Sequence, residues 1–322
     1  MKVLVTGAGG FVGAALAERL RDDAAALGAP VSELLLADMA FSKPPTPPVP
    51  RADGPRVTQH VGSIADAAFL DGLIATSPDV VFHLASIPGG AAERDPVLGT
   101  AVNLHATTRL LEGLADFKAR GATQAPVVVF TSTVAVYGAA LPAEVNADTP
   151  LRPLTSYGAH KLMTEVHLAD LSRRGVLDGR SVRLPGIVAR PAQAGGHVSA
   201  FMSNIFHALA AGEAFTCPVS AAATCWWMSR ERCVDNLLHI ARMPAPAQRT
   251  WPMPVLRFSI GELVDALARI YGEDRRALVR YAPVEAVEAL FGRQPPLEDS
   301  LPRALGLRDD GDIDALIRRA LA

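Results

Sequence analysis

Apolar positions in the first half of the chain fall into short continuous runs separated by longer amphipathic segments. The runs Val3–Thr6, Val80–Leu84 and Pro126–Thr131 are typical of strands buried on both faces. Between them, Phe11–Arg21 and Thr100–Ala119 have helical spacing. Further strands are predicted at Leu34–Ala37, Arg56–Val61 and Ser181–Leu184, and further helices at Ala67–Ala75 and Tyr157–Ser172. This alternation predicts an α/β fold with a doubly wound parallel sheet.

The second half of the chain has a different pattern. Helix-like segments joined by proline-rich connections occur at Ser199–Ala211, Arg230–Ala241, Ser259–Ile270 and Asp312–Ala320. They predict a smaller, mostly helical lobe over residues 186–322, which is interleaved with the first domain and can return a strand to the main sheet. The segment Ser42–Pro55 is too rich in proline for a helix or a central strand, so we expect an exposed, stiff loop there.

A glycine-rich segment, TGAGGFVG (Thr6–Gly13), lies between the first predicted strand and the first predicted helix. In such a turn Gly7 permits the tight bend, Gly10 lets the backbone approach a pyrophosphate, and Gly13 allows close packing of helix on strand. The helix N-terminus adds unpaired N–H groups for the phosphates. The segment predicts a Rossmann-type dinucleotide-binding domain over residues 1–185, which also carries the catalytic residues.

Asp38 ends the second predicted strand, LLLAD. An acidic residue about 20 positions beyond the glycines accepts hydrogen bonds from the adenosine ribose in this fold. Because a carboxylate there repels a 2′-phosphate, we expect NAD rather than NADP as the cofactor. Lys43 follows closely and is the one nearby residue that could soften this preference.

Tyr157 and Lys161 form a YxxxK pair near the start of a predicted helix. Residues four positions apart lie on the same helix face. A nearby ammonium favours the phenolate form of tyrosine, which would let Tyr157 act as an acid–base catalyst near neutral pH. Alone, the pair is more typical of a helix surface.

The motifs TGAGGFVG, VVFHLAS, VNLHAT, VVFTSTVAVYG and YGAHK follow one another in an order and spacing that resembles the extended short-chain dehydrogenase/reductase family, also called the NAD-dependent epimerase/dehydratase family. The resemblance implies that Thr133, or Ser132 in its place, binds the reacting oxygen. It assigns Asn103 to shaping the site or a proton path, and it places the backbone of Pro185 beside the nicotinamide.

The resemblance also implies hydride transfer to NAD, with Tyr157 removing a proton from a substrate hydroxyl. The catalytic residues expected are Tyr157, Lys161, Thr133, Ser132 and Asn103. The cofactor-binding residues expected are Gly7, Gly10, Phe11, Val12, Gly13, Asp38, Ser63, Ile64, Leu84, Ala85, Ser86, Asn103, Tyr157, Lys161, Pro185 and Ile187. Ser63 departs from the family, where many members have an aspartate that faces the adenine.

The substrate has to be inferred from the later segments. RLPGIVARP (Arg183–Pro191), SAFMSNIF and WWMSRERCVDNLLHIA resemble members of the family that oxidise the C2 hydroxyl of a four-carbon sugar acid with NAD. A carboxylate substrate needs a fixed cation, and Arg190, just beyond a strand end, is the candidate. The substrate-binding residues expected are Ser86, Thr133, Tyr157, Arg190, Ser199 and Asn204.

Two alternatives remain open from the sequence. The same fold serves nucleotide-sugar epimerases and dehydratases, although Gly186 stands where those enzymes commonly have an asparagine. Gly186 is also smaller than the residue expected in the family members that oxidise sugar acids, which would enlarge the pocket and shift the substrate to a related acid. The second alternative is an NAD-binding redox sensor without turnover, a class that usually lacks the tyrosine–lysine pair.

Composition excludes several other classes of protein. Over 322 residues, 31 lysines and arginines face 33 aspartates and glutamates, so no overall positive charge indicates nucleic-acid binding. No stretch is apolar enough to predict a membrane span. Three cysteines without metal-binding spacing favour a reducing, cytoplasmic location and no metal site.

The resemblance to the short-chain dehydrogenase/reductase family also implies a homodimer that pairs Thr100–Ala119 and Tyr157–Ser172 across a two-fold axis.

Overall fold

The structure is a computed structural model that describes residues 1–23, 25–41, 54–119, 124–191 and 198–322. Residues 42–53 of the predicted proline-rich loop, including Lys43, lie outside the described residues. Among the described residues, no helix is both long and apolar enough to cross a membrane.

A seven-stranded sheet lies at the centre of the fold, with the strand order Thr250–Pro252, Asp178–Leu184, Val127–Thr133, Val80–His83, Lys2–Thr6, Glu33–Asp38, Arg56–Val61 (β10-β6-β5-β4-β1-β2-β3). The strands of the structure are β1 (Lys2–Thr6), β2 (Glu33–Asp38), β3 (Arg56–Val61), β4 (Val80–His83), β5 (Val127–Thr133), β6 (Asp178–Leu184), β7 (Gly186–Val188), β8 (Phe215–Cys217), β9 (Thr224–Ser229), β10 (Thr250–Pro252), β11 (Leu256–Ser259) and β12 (Val279–Tyr281).

The central strands of this sheet pair in parallel, as their continuous apolar runs predict. Val3 of β1 is in register with Leu34 of β2 on one side and with Val80 of β4 on the other. All residues of β4 are buried, because helices cover both faces of the sheet. The strand order reverses between β1 and β4, and such a switch point opens a crevice for ligands at the carboxyl ends of the strands.

The helices confirm the expected alternation, with one interruption. They are α1 (Phe11–Asp22), α2 (Ala67–Ala75), α3 (Gly89–Arg94), α4 (Pro96–Thr100), α5 (Thr107–Ala119), α6 (Ser156–Arg173), α7 (Phe201–Ala211), α8 (Arg230–Arg242), α9 (Ile260–Tyr271), α10 (Glu285–Phe291), α11 (Ser300–Ala304) and α12 (Ile313–Leu321). The single helix expected over Thr100–Ala119 contains a wider, π-helical turn at Ala101–Ala106.

The chain divides into two compact units. The first comprises Met1–Val136, Thr155–Arg183 and Val234–Trp251, and its core includes Leu4, Val81 and Phe130 of the sheet. The second comprises Tyr137–Leu154, Leu184–Cys233 and Pro252–Ala322.

Short strands accompany the helices expected for the second unit. Strand β9 pairs in parallel with β7 and antiparallel with β11, and β8 pairs in parallel with β12. Trp227 of β9 is fully buried and stacks on Phe258 of β11, with ring centroids 5.2 Å apart. Most of these strands are too short to give a periodic signal in the sequence.

The three cysteines, Cys217, Cys225 and Cys233, are free and buried. Burial raises the pKa of the Cys233 thiol to about 12, and it raises the pKa of the other two thiols as well. The thiolate is the reactive form of cysteine, and a raised pKa keeps these thiols protonated. The three cysteines therefore serve as small apolar core residues.

Candidate active site

The glycine turn after β1 is packed too closely for side chains. Gly7 has φ +74°, and a Cβ added there would lie 2.6 Å from the backbone nitrogen of Ala85. A Cβ on Gly13 would lie 2.0 Å from the carbonyl oxygen of Gly7. Gly10 is the N-cap of α1, and the start of an α-helix is a site where backbone N–H groups and the helix dipole can receive a phosphate. The cradle fits a dinucleotide pyrophosphate.

Asp38, at the end of β2, lies beside this turn. Its Oδ2 accepts a hydrogen bond of 2.9 Å from the backbone N–H of Gly9. The carboxylate has further lone pairs that can accept hydrogen bonds from ribose hydroxyls. Farther along, the hydroxyl of Ser63 accepts from the backbone N–H of Ala65 at 3.2 Å, and Ile64 is buried.

The segment after β4 is held by Asn103. The side-chain Oδ1 of Asn103 accepts a hydrogen bond of 2.7 Å from the N–H of Ile87, and its Nδ2 donates one of 2.9 Å to the carbonyl of Ile87. Asn103 is 2% exposed and lies in the π-helical turn. Its amide therefore holds the chain at Ile87, just beyond the expected cofactor residues Leu84, Ala85 and Ser86.

His83 links the end of β1 to the start of α5. Its Nδ1 lies 2.7 Å from the hydroxyl of Thr6, and its Nε2 lies 2.9 Å from the hydroxyl of Thr107. The Thr107 hydroxyl donates to the carbonyl of Val102, so the consistent assignment puts the ring proton on Nε2. Burial, assisted by the charge of Lys161, lowers the pKa of His83 to about 3, so the imidazole is neutral.

The end of β5 carries two adjacent hydroxyls with different partners. Ser132 is buried and donates to the carboxylate of Glu165. The Thr133 Oγ1 accepts a hydrogen bond of 3.1 Å from the N–H of Ala135, which leaves the proton of this hydroxyl for another acceptor. Of the two hydroxyls, Thr133 is therefore the better placed to contact a substrate oxygen.

Helix α6 begins at Ser156 and places the tyrosine–lysine pair in its first two turns. The Thr155 side chain caps the helix by accepting a hydrogen bond of 3.1 Å from the N–H of Gly158. Tyr157 is half-buried and Lys161 is 2% exposed. The Lys161 Nζ lies 5.6 Å from the centre of the Tyr157 ring, a distance at which an ammonium favours the phenolate.

The Lys161 ammonium is anchored on β5. Its Nζ donates a hydrogen bond of 2.8 Å to the carbonyl of Thr131 and lies 4.6 Å from the centre of the Phe130 ring. Burial lowers the pKa of Lys161 to about 7, against an opposing attraction from Glu165. The protonation of Lys161 is thus decided by two opposing effects, burial and the negative charge of Glu165.

Glu165 and Arg183 also belong to the site, although neither is part of the sequence motifs that predict catalytic residues. The Glu165 carboxylate forms an ion pair with the Arg183 guanidinium, with Nη2 to Oε2 at 2.7 Å and Nε to Oε1 at 3.0 Å. Glu165 is 3% exposed. The available signal was its position four residues after Lys161, which puts both side chains on one helix face.

Three of the predicted substrate residues line one cavity of the second unit. This cavity has a volume of about 50 Å³ and is lined by Gly186, Ile187, Arg190, Pro191, Ser199, Ala200, Met202, Ser203 and Asn204. The exposed side chain of Arg190 supplies a cation there. Pro185, which precedes β7, is buried.

The expectation that Gly186 enlarges the pocket is wrong. A Cβ added to Gly186 would lie 2.4 Å from the Cε of Met202 and 3.0 Å from the carbonyl oxygen of Trp226. The Met202 side chain thus occupies the space that a side chain at position 186 would take. The sequence could not show this because the two residues belong to different elements, β7 and α7.

Comparison with known proteins agrees with this geometry. The sequence model of the NAD dependent epimerase/dehydratase family matches residues 3–245. The chain belongs to this family. In this family member the cradle of Gly7, Gly10 and Gly13 and the acid Asp38 fit the expected NAD(H) cofactor.

Two relatives that align over nearly the whole chain indicate which reaction class within the family this chain belongs to. The chain is 36% identical to D-erythronate dehydrogenase of Cupriavidus necator, over 99% of this chain and 97% of that protein. It is 30% identical to D-erythronate dehydrogenase of Haemophilus influenzae, over 99% of this chain and 98% of that protein. Family membership together with these relatives makes this chain an NAD-dependent oxidoreductase.

A solved structure with the same architecture has a different description. The nucleoside-diphosphate-sugar epimerase from Agrobacterium tumefaciens superimposes with a TM-score of 0.90 at 32% identity, covering 98% of this chain and 92% of that one. Proteins similar to this chain are thus described as dehydrogenases in two cases and as an epimerase in one.

Proposed function

We propose that the protein oxidises the C2 hydroxyl of D-erythronate to 2-oxo-tetronate with NAD. The observation that carries the proposal is the similarity, over 99% of the chain, to two D-erythronate dehydrogenases. The Tyr157–Lys161 pair supplies the acid–base group that oxidation of a hydroxyl requires.

NAD, when bound, supplies the hydride acceptor. The hydroxyl of Thr133, which already accepts from the N–H of Ala135, donates to the substrate C2 oxygen and orients it. The Tyr157 phenolate removes the proton from this oxygen as the C2–H bond breaks. Lys161, fixed on the carbonyl of Thr131, stabilises the phenolate by its charge.

Asp38 favours NAD over NADP. Its carboxylate is held beside the glycine turn by the N–H of Gly9, where a 2′-phosphate would meet a negative charge. Asp38→Asn removes the charge and should raise kcat/KM with NADP relative to that with NAD. A wild-type preference for NADP would contradict this assignment.

We assign the substrate carboxylate to Arg190. This guanidinium lines the cavity of the second unit together with the hydroxyl of Ser199 and the amide of Asn204. A guanidinium binds a carboxylate through two parallel hydrogen bonds, and the hydroxyl and amide can satisfy the remaining hydroxyl groups of a sugar acid.

The experiment is a comparison of NADH formation from a panel of four-carbon sugar acids, with UDP-sugars assayed alongside for epimerisation. The proposal predicts turnover of D-erythronate and its loss in Tyr157→Phe, with NAD binding retained. Turnover of D-erythronate by Tyr157→Phe at the wild-type rate would refute the role of the tyrosine. NAD binding without turnover of any substrate would favour a redox sensor.

A nucleotide-sugar epimerase is the second candidate, and the TM-score of 0.90 with the Agrobacterium tumefaciens protein favours it. Against it stands Gly186, which lacks a side chain for a diphosphate and whose missing side-chain volume is filled by Met202. Epimerisation of a UDP-sugar, with no NADH formed from any acid, would decide for this candidate.

We further propose that the protein is a homodimer. The side chains of Val97 in α4 and of Met163 and Val166 in α6 are 82%, 45% and 65% exposed. Burying them against a second copy would remove apolar surface from water. Val166→Asp should convert the dimer to a monomer in light scattering, whereas a monomeric wild-type protein would contradict the proposal.

The three reduced cysteines favour a cytoplasmic location.

A further inference from the structure

Glu165 is a buried carboxylate with no assigned part in the reaction. Its oxygens accept from the Ser132 hydroxyl and from the Arg183 guanidinium. We propose that Glu165 is a positioning residue that keeps Lys161 protonated and in place, and that it thereby controls the pH at which Tyr157 becomes a base. The inference rests on the proposed hydride-transfer function.

Glu165 is linked to the end of β5 through Ser132. Ser132, which donates to Glu165, lies between Thr131, whose carbonyl holds the Lys161 ammonium, and Thr133. Glu165 lies one helical turn after Lys161 on α6. One carboxylate therefore fixes the end of β5 and provides a negative charge near the buried ammonium.

The charge of Lys161 needs such a partner. Burial lowers the pKa of Lys161 to about 7, and the attraction of Glu165 is what opposes this fall. Without the carboxylate, two cations, Lys161 and Arg183, would share the region with no anion between them. Lys161 would then lose its proton more readily, and the Tyr157 phenolate would lose its counter-charge.

The other charged groups packed around α6 do not replace Glu165. His83 of β4 is neutral at working pH, and Arg183 of β6 is a cation. On the outer side of α6, His167 pairs with the exposed Glu112 of α5. Farther away, Glu93 of α3 accepts from the N–H of Ser156, and the charge of His105 in the π-helical turn acts on His160. Asp170, near the C-terminal end of α6, pairs with Arg173 and Arg174.

The test is the pH dependence of kcat/KM for D-erythronate in the wild type and in Glu165→Gln, Glu165→Asp and Glu112→Gln. We expect the acid limb to move about one pH unit or more toward alkaline pH in Glu165→Gln. In Glu165→Asp, which retains the charge, the limb should stay near its wild-type position even if the rate falls. The exposed matched control Glu112→Gln should leave both limb and rate unchanged.

A second readout does not depend on the substrate. The chain has four tyrosines, and the difference in ultraviolet tyrosinate absorbance between matched proteins with and without Tyr157→Phe isolates the titration of Tyr157. Glu165→Gln should move this titration to higher pH. If no acid is turned over, the proposed function fails while this titration still decides the role of Glu165.

Should Glu165→Gln not fold, the double variant Glu165→Met/Arg183→Met replaces the ion pair by apolar side chains of similar length, an exchange that buried pairs often tolerate. It removes the same negative charge but also the Arg183 cation, so the alkaline shift should be in the same direction and smaller. An unchanged Tyr157 titration in the folded variants, or a shift to lower pH, would overturn the proposal.

Discussion

Replacing Lys161 by methionine tests the electrostatic basis of the acid–base step. The Lys161 ammonium lies 5.6 Å from the centre of the Tyr157 ring. At that separation and an effective dielectric constant of about 20, opposite unit charges attract by about 3 kcal/mol. At about 1.4 kcal/mol per pKa unit, loss of the ammonium should move the deprotonation of Tyr157 upward by about two pH units.

The expected kinetic result follows from this shift. Near neutral pH, where the phenolate is the scarce form, Lys161→Met should lower kcat about 100-fold, and the loss should shrink as the pH rises through the shifted limb. Methionine fills the same volume, so the variant should fold. Steady-state NADH formation across the pH range, with D-erythronate saturating, measures the effect.

The matched control is Lys2→Met, which removes a lysine that contacts the carbonyl of Thr76 and the carboxylate of Glu33 at the surface. It should leave the pH profile unchanged. A loss of activity in Lys161→Met that is equal at every pH would refute the electrostatic reasoning, since it would mean that the lysine acts only through binding or structure.

Three further predictions concern the cofactor turn, the substrate cation and acid stability. Gly13→Ala should abolish NAD binding and lower Tm because its Cβ would meet the Gly7 carbonyl at 2.0 Å, whereas Gly72→Ala, with nothing within 4 Å, should not; equal Tm values would contradict this. Arg190→Ala should raise KM for D-erythronate about thirtyfold through the loss of a charged hydrogen bond of about 2 kcal/mol, and an unchanged KM would remove Arg190 from the site. The pKa of His83 falls from 6.5 unfolded to about 3 folded, so only the unfolded chain gains this proton and stability is lost as pH falls across that interval. In His83→Gln, the free energy of unfolding measured in urea should fall less steeply over the same pH interval. An identical pH dependence in the variant would show that His83 is not the titrating group.

The features that follow local rules could be predicted from the sequence. The continuous apolar strands gave the parallel sheet, because a strand covered on both faces excludes polar residues. The glycine spacing located the turn after β1, where added Cβ atoms would overlap the backbone. The i, i+4 spacing put Tyr157 and Lys161 on one face of α6.

The features that depend on distant partners could not be predicted. The Glu165–Arg183 pair joins a helix to a strand 18 residues later, and neither residue has a local pattern that identifies the other. The Met202 side chain fills the space beside Gly186 from another element. The π-helical turn that aims Asn103 at Ile87 has no simple sequence signal, and the pattern of α5 alone predicts an unbroken helix.

Whether the C2 hydrogen of the substrate is transferred to the nicotinamide decides whether the protein is a C2 dehydrogenase. D-erythronate carrying deuterium at C2 is incubated with NAD and the wild-type protein, and the nicotinamide product is analysed by mass spectrometry. We predict NADH that carries one deuterium, formed in equal amount to the 2-oxo acid. Unlabelled NADH, or no NADH alongside epimerisation of a UDP-sugar, would contradict it.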